Sequence, residues 1–197
     1  MIAKTRTRLS PEARKRQLLE TAKEMIVADG LQRFTMDALA TKAGVTTPLV
    51  YNYFATRAEL LQALLVKEYT SYTRKLAAAV AKASNFEEIV RAYITSNFDH
   101  QAPGSILPIL QSQPDIATVI QQRLKEDGKQ TANFVVQQFA ASYKLTKSQA
   151  ELVASMSSGA SIAAAQYARM ARVNRKKTIG TVLKYVLAGV DAIVSGS

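Results

Sequence analysis

The sequence predicts an all-α protein, three small helices followed by a larger helical bundle. Apolar residues recur three and four positions apart along most of the chain, and no stretch alternates long enough to read as a strand. Ser, Thr or Asn stands just before several of these segments, and Gly or Pro just after, as helix starts and stops require. With 197 residues and 48% hydrophobic side chains, the chain can also bury a sizeable core.

Residues 1–10 read as a basic arm. Ser10 followed by Pro11 opens the first helix, Leu18, Ala22, Met25 and Ile26 mark its apolar face, and Gly30 ends it. Thr35 caps a short second helix from Met36 to Ala43, which Gly44 closes. Thr46 caps a third, from Thr47 to about Phe54. Thr56 with Glu59 has capping-box spacing and opens a long fourth helix, with Leu60, Leu61, Leu64, Leu65, Tyr69, Tyr72 and Leu76 keeping the period to about Ala83. Asn85 with Glu88 starts a fifth, ending near Asp99. Pro103, Gly104, Pro108 and Pro114 predict a turning segment with one short helix in it. Further helices are predicted from Asp115 to about Ala141, from Thr146 to about Arg172, and from Arg175 to about Val194. Two domains follow, residues 1–55 and 56–197.

Composition excludes several functions. Without Cys there is no disulfide or thiolate metal site, and one His cannot build a multi-histidine site. No cofactor is expected. No catalytic nucleophile motif or phosphate loop is recognisable, so the chain is not expected to be an enzyme. No uninterrupted apolar run reaches the ~18 residues of a membrane span, and no secretory signal is evident, so a cytoplasmic protein without a membrane partner is expected. The formal charge is +11. It is densest in the first sixteen residues, where Lys4, Arg6, Arg8, Arg14, Lys15 and Arg16 face Glu12 alone. Such a balance suits a polyanion.

The stretch from Thr35 to Phe54 reads as a helix, a Gly-containing turn and a second helix. Leu39, Ala40, Val45, Val50 and Phe54 supply an inner apolar face. Thr46, Thr47, Pro48, Leu49, Tyr51, Asn52 and Tyr53 supply an outer face, with hydroxyls and an amide able to reach phosphates and base edges and no acidic residue among them. The arm could enter an adjacent minor groove. A tight helical hairpin in any bundle would give the same periodicity.

Residues 12–68 resemble the DNA-binding domain of the TetR family of bacterial regulators. The family pattern is met by Ala43-Gly44-Val45-Thr46, by Val50-Tyr51-Asn52-Tyr53-Phe54 and by Thr56-Arg57-Ala58-Glu59-Leu60-Leu61, with Gly30, Thr35, Met36, Leu39 and Ala40 upstream. Pro48, Leu49 and Phe34 depart from it. The resemblance implies an all-α fold with an N-terminal three-helix DNA-binding domain and a C-terminal helical bundle for ligand binding and dimerisation. It implies a repressor released from a duplex DNA operator by a small-molecule effector. Thr35, Thr46, Tyr51, Tyr53 and Arg57 would touch phosphates, Lys42 could add a phosphate contact, and Lys4, Arg6 and Arg8 would form the arm. Thr47, Pro48, Leu49 and Asn52 would face base edges, and Tyr51 could also support the domain core. The last two helices would form the homodimer interface, through the small-residue stretch 154–168 and Ile179, Val182, Leu183, Val186, Val190 and Val194. An effector pocket is expected among Tyr93, Phe98, His100, Phe134, Phe139, Tyr143 and Tyr167, with His100 a surface residue, a polar anchor or a gate. Arg169, Arg172, Arg175, Lys176 and Lys177 read as a solvated patch. The alternative is an architectural or nucleoid-associated DNA-binding protein on the same fold.

Overall fold

A computed structural model describes residues 9–113, 116 and 129–195, and among these the regular structure is helical. Helix α1 spans Pro11–Asp29; the Ser10 hydroxyl accepts the Ala13 N–H at 3.2 Å, and Pro11 occupies the first turn. Gly30, at φ +83°, ends it. A single 3-10 turn, Leu31–Arg33, follows. Three residues are too few to leave a periodic signature, so this turn is invisible in the sequence.

Helix α2 is Met36–Ala43 and α3 is Thr47–Tyr53. Helix α4, Arg57–Val80, has 24 residues and spans roughly 36 Å. It stops three residues before the expected Ala83. Helix α5 is Phe86–His100, α6 the short Leu107–Gln111, α7 Lys129–Tyr143, α8 Lys147–Met170 and α9 Arg175–Ser195. Much of the helix expected from Asp115 lies outside the described residues; its C-terminal part is α7.

Acidic side chains support two of the helix starts in an offset way. Thr56 accepts the Glu59 N–H, but the Glu59 carboxylate accepts from Ala55 rather than from Thr56. Asn85 and Glu88 repeat this, with Glu88 reaching the Ser84 N–H. Thr146 and Gln149 close the reciprocal box at α8.

Two apolar cores result. One joins α1, α2, α3 and the first half of α4 through Leu18, Ile26, Leu39, Val50, Phe54, Leu60, Leu61, Leu64 and Leu65, and it takes in Ile106, Leu107 and Leu110 from α6 and its approach. The other joins α5, α7, α8 and α9 through Val90, Ile94, Phe139, Val153, Ile179, Leu183 and Val186. The second half of α4 lies along α5. Ion pairs Lys23–Glu68 and Lys67–Glu20 link α1 to α4. Both are partly solvated, so each contributes about 1 kcal/mol or less.

Helix α9 is long and apolar enough, by length and composition, to cross a membrane. It begins with Arg175-Lys176-Lys177, carries Lys184 and Asp191, and buries Ile179, Val182, Leu183, Val186 and Val190 in the second core.

Candidate nucleic-acid interface and internal cavity

The α2–α3 unit is built by a turn and two anchors. Gly44 closes α2 at φ +66° and ψ 37°, the left-handed region, and the Val45 N–H returns to the Ala40 carbonyl at 3.0 Å. Val50 and Phe54 are fully buried and fix the rotation of α3. That rotation turns Thr46, Pro48, Tyr51 and Asn52 to the surface, with Thr47 and Leu49 half-exposed. From α1, Gln17 donates to the Ala43 carbonyl at 3.3 Å, and the Lys15 ammonium lies 5.5 Å from the Phe54 ring centre. Helix α3 is thereby an anchored element with hydroxyl and amide groups outward.

Individual side chains differ from the sequence expectations. Thr35 does cap α2, accepting the Ala38 N–H at 3.1 Å. Thr46 occupies the cap position of α3, but its side chain makes no capping hydrogen bond. Pro48 has no N–H, and the Leu49 N–H already goes to the Thr46 carbonyl. The Thr47 hydroxyl donates to Asp37 Oδ1 at 2.8 Å. The expectation of an acid-free reading face is therefore corrected: α2 brings a carboxylate to the start of α3. Tyr51 is 47% exposed, whereas Tyr53 packs on the first core, so the supporting aromatic is Tyr53. Arg57 turns back toward the chain. Its Nε donates to the Phe34 carbonyl at 3.1 Å, its Nη2 to the Leu31 carbonyl at 2.9 Å, and the guanidinium lies 5.8 Å from the Phe34 ring centre. It ties the 3-10 turn to α4, a role its sequence position did not disclose. Lys42 is exposed at the end of α2. Lys4, Arg6 and Arg8 lie outside the described residues.

A cavity of about 470 Å³ opens between α4, α5, α7 and α8. Tyr69, Tyr72, Tyr93, Asn97, Val135 and Ser155 are among its walls. The Tyr72 hydroxyl donates to Asn97 Oδ1 at 2.9 Å, and the buried Asn97 Nδ2 has no acceptor among the described residues. Burial pushes the Tyr69 and Tyr72 phenols up, so both stay neutral. Of the expected lining residues, Tyr93 does face the cavity. Phe98 and Phe139 are core; Phe86 meets Phe139 edge-on at 5.2 Å and Tyr143 at 5.1 Å. Phe134 and Tyr167 are exposed. Aromatic type marks burial or surface as readily as a pocket wall, so the expected set is spread over core, surface and cavity. His100 is half-buried rather than a surface residue. Its Nε2 meets Gln111 Oε1 at 3.2 Å, and its ring meets the Tyr72 ring edge-on at 5.2 Å. Burial lowers its pKa. Tyr69 and Tyr72 read as core because they follow the apolar period of α4. Asn97 carried the better signal, an amide on the apolar face set by Val90, Ile94 and Phe98.

A second concavity, about 570 Å³, runs along the outer face of α8 and α9 between Met156, Gly159, Ala160, Ala163, Tyr185 and Gly189. Beneath it the Ser157 and Ser161 hydroxyls donate to carbonyls one turn back, at 2.7 and 2.6 Å. Small residues line this concavity, and Met156, Tyr167, Met170 and Tyr185 leave large apolar surface exposed. In the basic cluster, Arg175 pairs with Asp99, and Arg169 and Arg172 are exposed. Among the described residues no His, Cys, Asp or Glu group is arranged to hold a metal.

Residues 18–64 match the family model for bacterial regulatory proteins of the TetR family. The chain is 30% identical over 100 residues to the HTH-type transcriptional activator FasR of Mycolicibacterium smegmatis, an alignment covering 49% of this chain and 46% of that protein. It is 39% identical over 70 residues to the HTH-type transcriptional regulator LuxR of Vibrio harveyi, 34% of each chain. These alignments span less than half of either relative's length. Solved structures resemble nearly the whole chain. The fatty acid degradation regulator FadR from Bacillus halodurans has a TM-score of 0.69 at 18% identity, covering 92% of this chain and 97% of that one. A TetR-like regulator from Rhodococcus sp. RHA1 has a TM-score of 0.66 at 21% identity, with 93% and 99% covered. At such identities the likeness is one of fold.

Proposed function

We propose that this chain, a member of the TetR family by its helix-turn-helix domain, is a homodimeric transcriptional repressor that a small molecule releases from its operator. The observation that carries the reading is α3. Val50 and Phe54 anchor it, and its outward face presents Thr46, Thr47, Tyr51 and Asn52 at a scale suited to the major groove. Operators read by such elements are two-fold symmetric, and the exposed apolar face of α8 and α9 suits pairing with a second copy.

The cavity between α4, α5, α7 and α8 is the proposed effector site. It has the size of a small-molecule pocket, and Asn97 Nδ2 is a buried donor without an acceptor among the described residues. Helix α4 lines this cavity with Tyr69 and Tyr72 and contributes Leu60, Leu61, Leu64 and Leu65 to the DNA-binding core. An effector that repositions α4 would change the separation of the two α3 helices. Release requires that the effector bind the free state more tightly than the operator-bound state.

Selection of bound fragments from a random duplex library, with the full chain at moderate salt, tests the reading. A single two-fold symmetric sequence is the expected outcome. Salt-sensitive binding without a consensus would instead support an architectural role, and absence of binding would overturn DNA recognition altogether.

A further inference from the structure

We infer that Asp37 and Thr47 act as a pair that selects an amine-bearing base, cytosine or adenine, at one position of each operator half-site. The inference rests on the DNA-binding reading of α3 and adds a chemical preference to it.

Thr47 is the first residue of α3, and its hydroxyl proton is donated to Asp37 Oδ1 at 2.8 Å. A hydroxyl whose proton is committed offers the ligand only acceptor lone pairs. Asp37 is exposed, in the first turn of α2, and its Oδ1 accepts the Thr47 hydroxyl. The carboxylate therefore also presents acceptor sites beside the reading face. The pair is an acceptor set carrying a negative charge.

Docking α3 in the major groove brings this set against a polyanion. Phosphate oxygens, guanine O6 and N7, adenine N7 and thymine O4 are all acceptors and would repel it. The major-groove donors are the N4 amine of cytosine and the N6 amine of adenine. A carboxylate desolvated there without a donor would be strongly unfavourable. The arrangement is therefore compatible with binding where an amine faces the pair, and disfavours guanine or thymine at that place on the contacted strand. Were the hydroxyl free, it could rotate to donate to those acceptors, and the restriction would vanish.

The test compares fragments selected from a random duplex library by the full-length protein and by Asp37→Ala, Asp37→Asn and Thr47→Val, with the melting temperature of each measured alongside. The wild type is expected to give one half-site position restricted to cytosine or adenine, with guanine or thymine there weakening binding about 5–10-fold, the low end for a base contact. Asp37→Ala should relax that position and leave the others intact. Asp37→Asn, which adds donors, should shift it toward guanine or thymine. A symmetric consensus with no such position, or one that all three variants leave unchanged, would overturn the inference while leaving operator recognition standing. No consensus from any protein would overturn both. Lower melting in Asp37→Ala with unchanged preference would reduce the pair to a clip between α2 and α3, and so also overturn it.

Discussion

A guanidinium at the head of a helix beside DNA invites a phosphate, yet the Arg57 fork closes on the carbonyls of Leu31 and Phe34. Which way a long side chain turns depends on acceptors that other segments bring, and here they come from a 3-10 turn that carries no sequence signature. The same holds for Thr47, whose partner Asp37 lies ten residues away on another helix. Residue types on the reading face were legible; their partners were not. Arg57→Ala is expected to lower stability by about 1–2 kcal/mol, since two charge-assisted hydrogen bonds are lost at a partly solvated site. Arg57→Lys should not restore it, because an ammonium cannot hold both carbonyls in the fork's geometry. Urea midpoints of the three proteins check this. A midpoint for Arg57→Ala equal to wild type would show that the fork is idle in the free protein.

At the scale of elements, starts and stops were the most readable feature. Ser10, Thr35, Thr56, Asn85 and Thr146 all cap helices with their side chains, because a short oxygen can satisfy an otherwise unpaired N–H wherever the apolar period begins. Thr46 is the exception, since capping also needs free N–H groups in the first turn and Pro48 removes one. The Gly44 stop was legible for a similar reason: the tight turn between α2 and α3 needs a positive φ. Gly44→Ala should destabilise by about 1–2 kcal/mol from backbone strain. An added Cβ would meet nothing within 4 Å, so the loss is conformational rather than steric. Thermal unfolding of Gly44→Ala and Gly44→Asn measures it. Asn tolerates this conformation and should retain more of the stability than Ala, and equal losses would point to a contact instead.

At the scale of the molecule, the sequence predicted two helical groups but could not say how they interlock. Burial patterns of single helices do not reveal which partner each face meets, and the cavity arises where the α4–α5 pair meets the α7–α8 pair. The outer face of α8 and α9 is the counterpart on the surface. Met156 and Tyr185 are exposed there, so charging them should leave the protomer folded. Met156→Glu with Tyr185→Glu is expected to give a monomer in sedimentation, with operator affinity lowered at least ~100-fold because like charges would be juxtaposed across the interface. A dimer that survives both changes would move the interface elsewhere on the protein.

The placement of α6 has a consequence for how such a chain can be recombined. Leu107 and Leu110 sit in the same core as Leu18, Phe54 and Leu64, although they lie beyond α4 and α5 in the sequence. A crossover that grafted a foreign C-terminal half onto this reading head after α3, or even after α4, would strip the head of apolar neighbours supplied from downstream. Viable hybrids must therefore inherit α6, or an equivalent surface, along with the head.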